Sequence, residues 1–175
     1  MPSWMAWKMV NRRRNTCLSN LRYAPIEVRP AVPGDVAVLT TLLELLFSVE
    51  EDFQFDEARQ RNGLELMIKS RSCCVLVAEA AGEVIGMCTG QITISTAEGG
   101  PALLVEDVVV KREWQGRQVG SRLLGALGNW AMNHGIRRLQ LLADRNNKKA
   151  LGFYQKRGWQ VTSLIALRKY MGVST

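Results

Sequence analysis

Residues 104–124 constrain the fold more than any other part of the chain. They begin Leu104-Val105-Glu106-Asp107-Val108-Val109-Val110, an apolar strand broken only by two acids, and continue through a short polar turn into a helix with glycines in its first turn. So apolar a strand needs cover on both faces, and a helix that follows it must return over the sheet. The start of a helix leaves its first backbone N–H groups without intrahelical partners and carries roughly half a positive charge. Gly116 and Gly120 let a bulky anion approach that backbone, and Arg117 or Arg122 adds formal charge. The segment therefore reads as a di- or polyphosphate site. It is neither a Walker A loop, which ends in Gly-Lys-Ser/Thr, nor the three-glycine dinucleotide fingerprint.

The remaining elements follow from periodicity. Residues 26–29 alternate as a strand, ended by Pro30. Asp35, after Pro33-Gly34, predicts a helix N-cap, and Val36, Leu39, Leu43, Leu46 and Phe47 follow with amphipathic spacing. A second helical pattern covers residues 56–69. Residues 73–80 and 83–94 read as strands joined at Ala81-Gly82, and residues 102–110 as a third, largely apolar one. A helix over 116–134 ends at Gly135, which gives His134 the role of a last-turn residue. A strand over 137–143, a helix over 147–157 and one or two strands within 159–171 complete the order. The fold class is α/β (α+β): a mixed, mostly antiparallel sheet of six or seven strands with about four helices on its faces. Residues 26–175 form one domain, and residues 1–25 a basic, disordered N-terminal arm.

Charge is unevenly spread over the 175 residues. The net charge of +7 resides mostly in residues 1–30, where Lys8, Arg12, Arg13, Arg14, Arg22 and Arg29 face Glu27 alone. The rest of the chain is nearly neutral, so a nucleic-acid partner is disfavoured despite the basic balance. Within the domain, residues 35–65 are strongly acidic and residues 137–157 strongly basic. Four cysteines without a Cys-x-x-Cys spacing and a single histidine, His134, argue against a metal site and against a histidine-based triad. Cys73 and Cys74 read as small apolar strand residues in a reducing compartment. No apolar run approaches the ~18–20 residues that span a bilayer, and no apolar stretch follows the basic N-terminal cluster, so neither membrane nor secretion is expected. A cytoplasmic location follows.

Two ordered motifs carry a resemblance. Gln115-Gly116-Arg117-Gln118-Val119-Gly120 is similar to the Gln/Arg-x-x-Gly-x-Gly/Ala signature of the GNAT superfamily of acyl-CoA-dependent N-acyltransferases. Gln118 stands where that family usually has its first motif glycine; a helix-compatible backbone there needs no glycine and still donates its N–H. Asn147-Lys148-Lys149-Ala150-Leu151-Gly152-Phe153-Tyr154-Gln155-Lys156-Arg157-Gly158-Trp159 resembles the family's Asn-x-x-Ala-x-x-Phe-Tyr-x-x-x-Gly-Phe/Trp segment without a gap. The resemblance covers residues 26–171 and implies a single GNAT-like domain.

It also implies an activity: transfer of an acetyl group from acetyl-CoA to a primary amine by direct attack in a ternary complex, without an acyl-enzyme or a metal. Coenzyme A would lie against Val108, Val109 and Val110 as an extra strand, with its diphosphate on Gln115, Gly116, Arg117, Gln118, Val119, Gly120 and Ser121. Asn147, Ala150, Tyr154 and Lys156 would add further contacts. Tyr154 would be the general acid, its phenol protonating the departing thiolate. Glu106 is favoured as base over its neighbour Asp107, because successive strand residues face opposite sides unless a bulge intervenes. The acid pair resembles a Leu-Glu-Asp triplet of the spermidine/spermine branch. Glu50 and Glu51, in an acidic segment bordering the acceptor site by resemblance, suit a small cationic amine. A protein or peptide acceptor, a non-catalytic acyl-CoA-binding regulatory or nucleic-acid-associated module, and a homodimer stay open at this point.

Overall fold

Alternation along the strands sets up two faces, and the helices divide between them. The structure is a computed structural model and describes residues 24–49 and 53–171. Its residues cluster into two compact units, one up to Gln140 and one from Leu141 onward. The sheet has the order β1-β2-β3-β4-β5, with β1 at Ile26–Pro30, β2 at Cys73–Ala80, β3 at Glu83–Ser95, β4 at Gly100–Val110 and β5 at Leu139–Leu141. The first four strands are antiparallel neighbours. Ala81 (φ 51°) and Gly82 (φ 79°) close the β2–β3 hairpin in left-handed conformations, the turn geometry that matches strand twist. Between β4 and β5 runs helix α3 (Val119–Asn133). A crossover helix between neighbouring strands returns the chain in the same direction, which makes the sheet mixed.

One face carries Val75, Val77, Met87 and Val109, covered by Leu39, Leu42 and Leu43 of α1 (Val36–Phe47) and Leu64 of α2 (Glu57–Lys69). α3 buries Val119, Leu123, Leu127 and Ala131, a stripe at i, i+4, i+8 and i+12, and Cys88 Sγ on β3 lies 3.7 Å from the Leu123 carbonyl oxygen. Each of the valine, leucine and methionine side chains among them stabilises the fold by about 1.5–3 kcal/mol on burial. In this order β4 lies between β3 and the short β5, and its C-terminal end leads through the 3-10 turn Arg112–Trp114 to the start of α3.

Several boundaries differ from the sequence reading, each for a local reason. Asp35 precedes α1, but its carboxylate does not cap it. It accepts instead from the Val32 N–H (2.8 Å) and from Arg29 (2.8 and 3.1 Å), which also reaches Glu79. The Arg29 guanidinium holds the Asp35 carboxyl below the usual carboxylate range against the opposing effect of burial. α3 begins at Val119 rather than at Gly116, because two left-handed residues precede it. β5 is three residues long rather than seven, and the sheet has five strands among the described residues. Residues 159–171, expected to add one or two, form none: Leu164 and Leu167 are 86% and 90% exposed. Apolar residues there satisfy the strand pattern, but a strand exists only where a neighbour takes up its backbone hydrogen bonds. The basic arm expected over residues 1–25 lies, apart from residues 24 and 25, outside the described residues, as do Glu50 and Glu51.

Candidate active site

The loop from β4 into α3 is shaped by two residues with positive φ. Gly116 has φ 77°, and an added Cβ would meet nothing within 4 Å, so conformation and not space selects glycine there. Gln118 has φ 63° and ψ 8° and is the N-cap of α3. The helix-compatible backbone expected at Gln118 is thus corrected: the position is left-handed, the region that glycine occupies without strain. No side chain caps α3, and the first intrahelical bond is from the Arg122 amide to the Gln118 oxygen at 3.0 Å. The amides of Val119, Gly120 and Ser121 precede it, at the positive end of a 15-residue helix. Arg117 stacks over Trp114 with its guanidinium carbon 5.0 Å from the ring centroid, and Arg122 donates to the Ile26 oxygen at 3.0 Å.

Within the same unit, β4 presents a backbone edge next to this loop. The Lys111 N–H donates to the Ile85 oxygen on β3 (2.9 Å). Strand alternation then turns the Val109 amide toward β3 and the Val108 and Val110 amides away from it. On that outer side the Leu103 N–H meets the Arg138 oxygen at 2.9 Å, just before β5. Gln115 connects edge and loop: its Nε2 donates to the Val110 oxygen at 3.2 Å.

The acid pair lies in a β-bulge. The β3–β4 register passes from Cys88 opposite Val108 to Gly90 opposite Val105, so Glu106 and Asp107 together face Thr89. The Asp107 N–H donates to Thr89 Oγ1 (3.0 Å), and the Thr89 hydroxyl donates to Asp107 Oδ2 (2.9 Å). Gln91 Nε2 donates to Glu106 Oε2 at 2.7 Å. Thr89 and Gln91 are two residues apart on one strand and share a face, so both carboxylates emerge on that face. Without the bulge they would diverge to opposite sides. Glu106 is exposed and Asp107 half-buried. Val105 precedes the pair, so the Leu-Glu-Asp triplet of the polyamine branch is matched only in its two acids.

In the unit from Leu141 onward, α4 (Lys148–Gln155) starts with an occupied N-terminus. Asn147 Oδ1 accepts from the Ala150 N–H at 3.0 Å, and the Lys148 amide bonds the Asn146 oxygen at 2.8 Å. Tyr154 packs edge-on against Phe153 and Trp159, with centroids 5.2 and 5.7 Å away. Arg157 lies over the Phe153 ring at 3.7 Å, and Lys148, Lys149 and Lys156 make the surface of this helix basic. Among the described residues, no cluster of three or more His, Cys, Asp or Glu side chains is arranged to hold a metal ion.

Residues 39–159 match the Acetyltransferase (GNAT) family, well over half of the chain. The chain belongs to that family. An uncharacterized N-acetyltransferase of Bacillus subtilis, YhfO, is 27% identical over 139 residues, covering 77% of this chain and 90% of that protein. Among solved structures, the aminoglycoside N-acetyltransferase AAC(6')-Iy in complex with CoA superposes with a TM-score of 0.73 at 17% identity, covering 84% of this chain and 95% of the other. A transcriptional regulator from Bacillus halodurans C-125 gives 0.71 at 20% identity, covering 84% and 100%. At such identities the structural matches speak for the fold. This GNAT acetyltransferase is thus an enzyme with an α/β domain of the family's architecture. No helix among the described residues is long and apolar enough to cross a membrane.

Reading the sequence missed Thr89, Gln91 and the edge-to-loop bond of Gln115. The signal for Thr89 was present in retrospect: a hydroxyl that follows the apolar run Val84–Cys88 has to find a partner when buried.

Proposed function

We propose that the enzyme transfers an acetyl group from acetyl-CoA to a primary amine by direct attack in a ternary complex, and that its acceptor is a small cationic amine. The observation that carries this reading is the junction made by Gln115. It joins the start of α3, which no side chain caps, to the β4 edge on which the Val108 and Val110 amides point outward. A diphosphate followed by an amide-bearing, strand-like arm fits those two features in that order, and coenzyme A has that construction. In this assignment Gly116, Arg117, Gln118, Val119, Gly120 and Ser121 hold the diphosphate, and Val108–Val110 line the arm. Asn147, Ala150 and Lys156 add contacts by their motif match.

The chemistry then divides among the chain's own groups. Glu106, exposed on the bulge face, takes the proton that the attacking amine loses, directly or through water. A β4 amide donates to the acetyl oxygen as negative charge develops there. As the carbon–sulfur bond breaks, the Tyr154 phenol gives its proton to the thiolate. Two carboxylates on one face favour a positively charged acceptor, and that is the basis for preferring a cationic amine such as a polyamine or an aminoglycoside. We place the enzyme in the cytoplasm, where Cys73, Cys74 and Cys88 stay reduced; burial pushes the Cys74 thiol up to about 11 and so keeps it inert. Residues 1–25 are proposed as an arm outside the catalytic domain.

A thiol-release assay with acetyl-CoA against cationic, neutral and anionic amines tests the reading. Turnover should concentrate on the cationic ones. Tyr154→Phe should lower kcat roughly 10- to 10³-fold with KM for acetyl-CoA little changed. An unaltered kcat would remove Tyr154 from the mechanism, and indifference to acceptor charge would reject the acceptor class.

A further inference from the structure

We infer that Thr89 is the positioning residue of the acceptor side, holding the β4 bulge so that the Glu106 carboxylate faces the incoming amine; this rests on the function proposed above. Thr89 is fully buried, yet it carries a hydroxyl near the end of the buried stretch of β3. Burying a hydroxyl without partners costs about 1–3 kcal/mol, so its bonding decides whether the residue fits there at all. Both of its hydrogen-bonding capacities go to one neighbour. It accepts from the Asp107 backbone N–H at 3.0 Å and donates to the Asp107 carboxylate at 2.9 Å.

The accepting bond has a geometric consequence. In a regular antiparallel pair the Asp107 amide would meet a backbone carbonyl or face the outer edge. Here it donates to a side chain, and the Thr89 hydroxyl holds the two-against-one register of the bulge. Remove the hydroxyl and that amide loses this bond in a half-buried site. The ladder then gains by slipping one residue, and a one-residue slip sends the neighbouring side chain to the opposite face. Glu106 would leave the face it shares with Gln91. The donating bond meanwhile fixes the Asp107 carboxylate against the sheet, which keeps the two acids from competing for one position. Thr89 itself touches no reacting atom, being sealed under the sheet surface.

Thr89→Val keeps the shape and deletes the hydroxyl; Thr89→Ser keeps the hydroxyl. The variants are compared with the wild-type chain in kcat/KM for the preferred amine, in the Kd for acetyl-CoA by calorimetry, and in the further effect of Glu106→Gln. Thr89→Val should lose about 10- to 10²-fold in kcat/KM for the amine, with the acetyl-CoA Kd within about threefold, and Thr89→Ser should recover most of the loss. Glu106→Gln should have much less effect on top of Thr89→Val than alone, since the carboxylate is already displaced. Should Thr89→Val fail to fold, Thr89→Ala carries the same comparison. Full activity without the hydroxyl overturns the inference, and so does a loss that falls equally on acetyl-CoA binding and is not restored by serine. A wild-type chain that neither binds acetyl-CoA nor acetylates any amine is a different failure: it removes the proposed function, and the role of Thr89 with it.

Discussion

Helices α3 and α4 both follow strands and both carry a family motif at their first turn, but their N-termini are built in opposite ways. At α4 the first turn is closed by the chain itself, with Asn147 Oδ1 on the Ala150 amide. α2 is closed in the same manner, by Asp56 on the Arg59 amide at 3.1 Å. At α3 no side chain caps the helix, and two left-handed residues, Gly116 and Gln118, swing the preceding loop aside. A side-chain cap stabilises a helix by about 1 kcal/mol. α3 forgoes that stabilisation and recovers its stability from the fully buried stripe of Val119, Leu123, Leu127 and Ala131. The lesson is that a glycine-bearing motif and a basic surface do not by themselves tell two helix starts apart. Both helices have them, and the difference lies in whether a side chain caps the first turn.

The strongest way to break this comparison is to deny α3 its loop. Gly116→Val puts a β-branched residue at φ 77°, where even an unbranched one costs roughly 1–2 kcal/mol. The loop is exposed and an added Cβ meets nothing, so the strain is relieved by local rearrangement rather than by unfolding. The amides then lose their common direction. Acetyl-CoA affinity should fall about 10- to 10²-fold in calorimetry, with the thermal midpoint shifted by only a few degrees. Retained affinity would mean that the diphosphate is held elsewhere.

Asn147 sharpens the other half. Its Oδ1 accepts the cap bond, and its Nδ2 is the donor it can offer to coenzyme A. Asn147→Asp keeps a good cap and replaces the donor by a carboxylate, whereas Asn147→Ala removes both. If the motif assignment is right, Asn147→Asp should weaken acetyl-CoA by about tenfold at unchanged stability, and Asn147→Ala should also lose about 1 kcal/mol in urea unfolding. Equal affinity for the wild type and Asn147→Asp would leave Asn147 as a cap and nothing more.

How much of this was legible beforehand differs by residue. α1 and β2 stand at the expected positions because Val36, Leu39 and Leu43 space only one way on a helix, and residues 73–80 run apolar between turn signals. That a strand, a polar turn and then a helix follow one another over residues 104–133 was legible from the apolar run and the glycines at 116 and 120. The left-handed Gln118 was not, since glutamine carries no signal for positive φ. Nor was the bulge: two adjacent acids in an apolar strand are compatible with either facing, and the deciding partner, Thr89, is 18 residues away on another strand. Residues 159–171 went astray for the converse reason. Their pattern is that of a strand, but pairing is a property of the neighbour and is not written in the segment.

The smallest expected effect concerns Gln118 and tells strain from use. A non-glycine residue in the left-handed region costs about 1 kcal/mol relative to glycine. Gln118 is exposed, and its side chain forms no cap to α3. Gln118→Gly removes the strain in the folded chain but adds freedom to the unfolded one, and the first term is the larger at φ 63°. Urea unfolding should therefore show a gain of up to about 1 kcal/mol. The acetyl-CoA Kd separates the two roles: unchanged within about threefold if the backbone N–H alone serves the diphosphate, raised if the side-chain amide takes part. A loss of stability in Gln118→Gly would instead show that the left-handed turn is held by its side chain, and the contrast between the open start of α3 and the capped start of α4 would lose its basis.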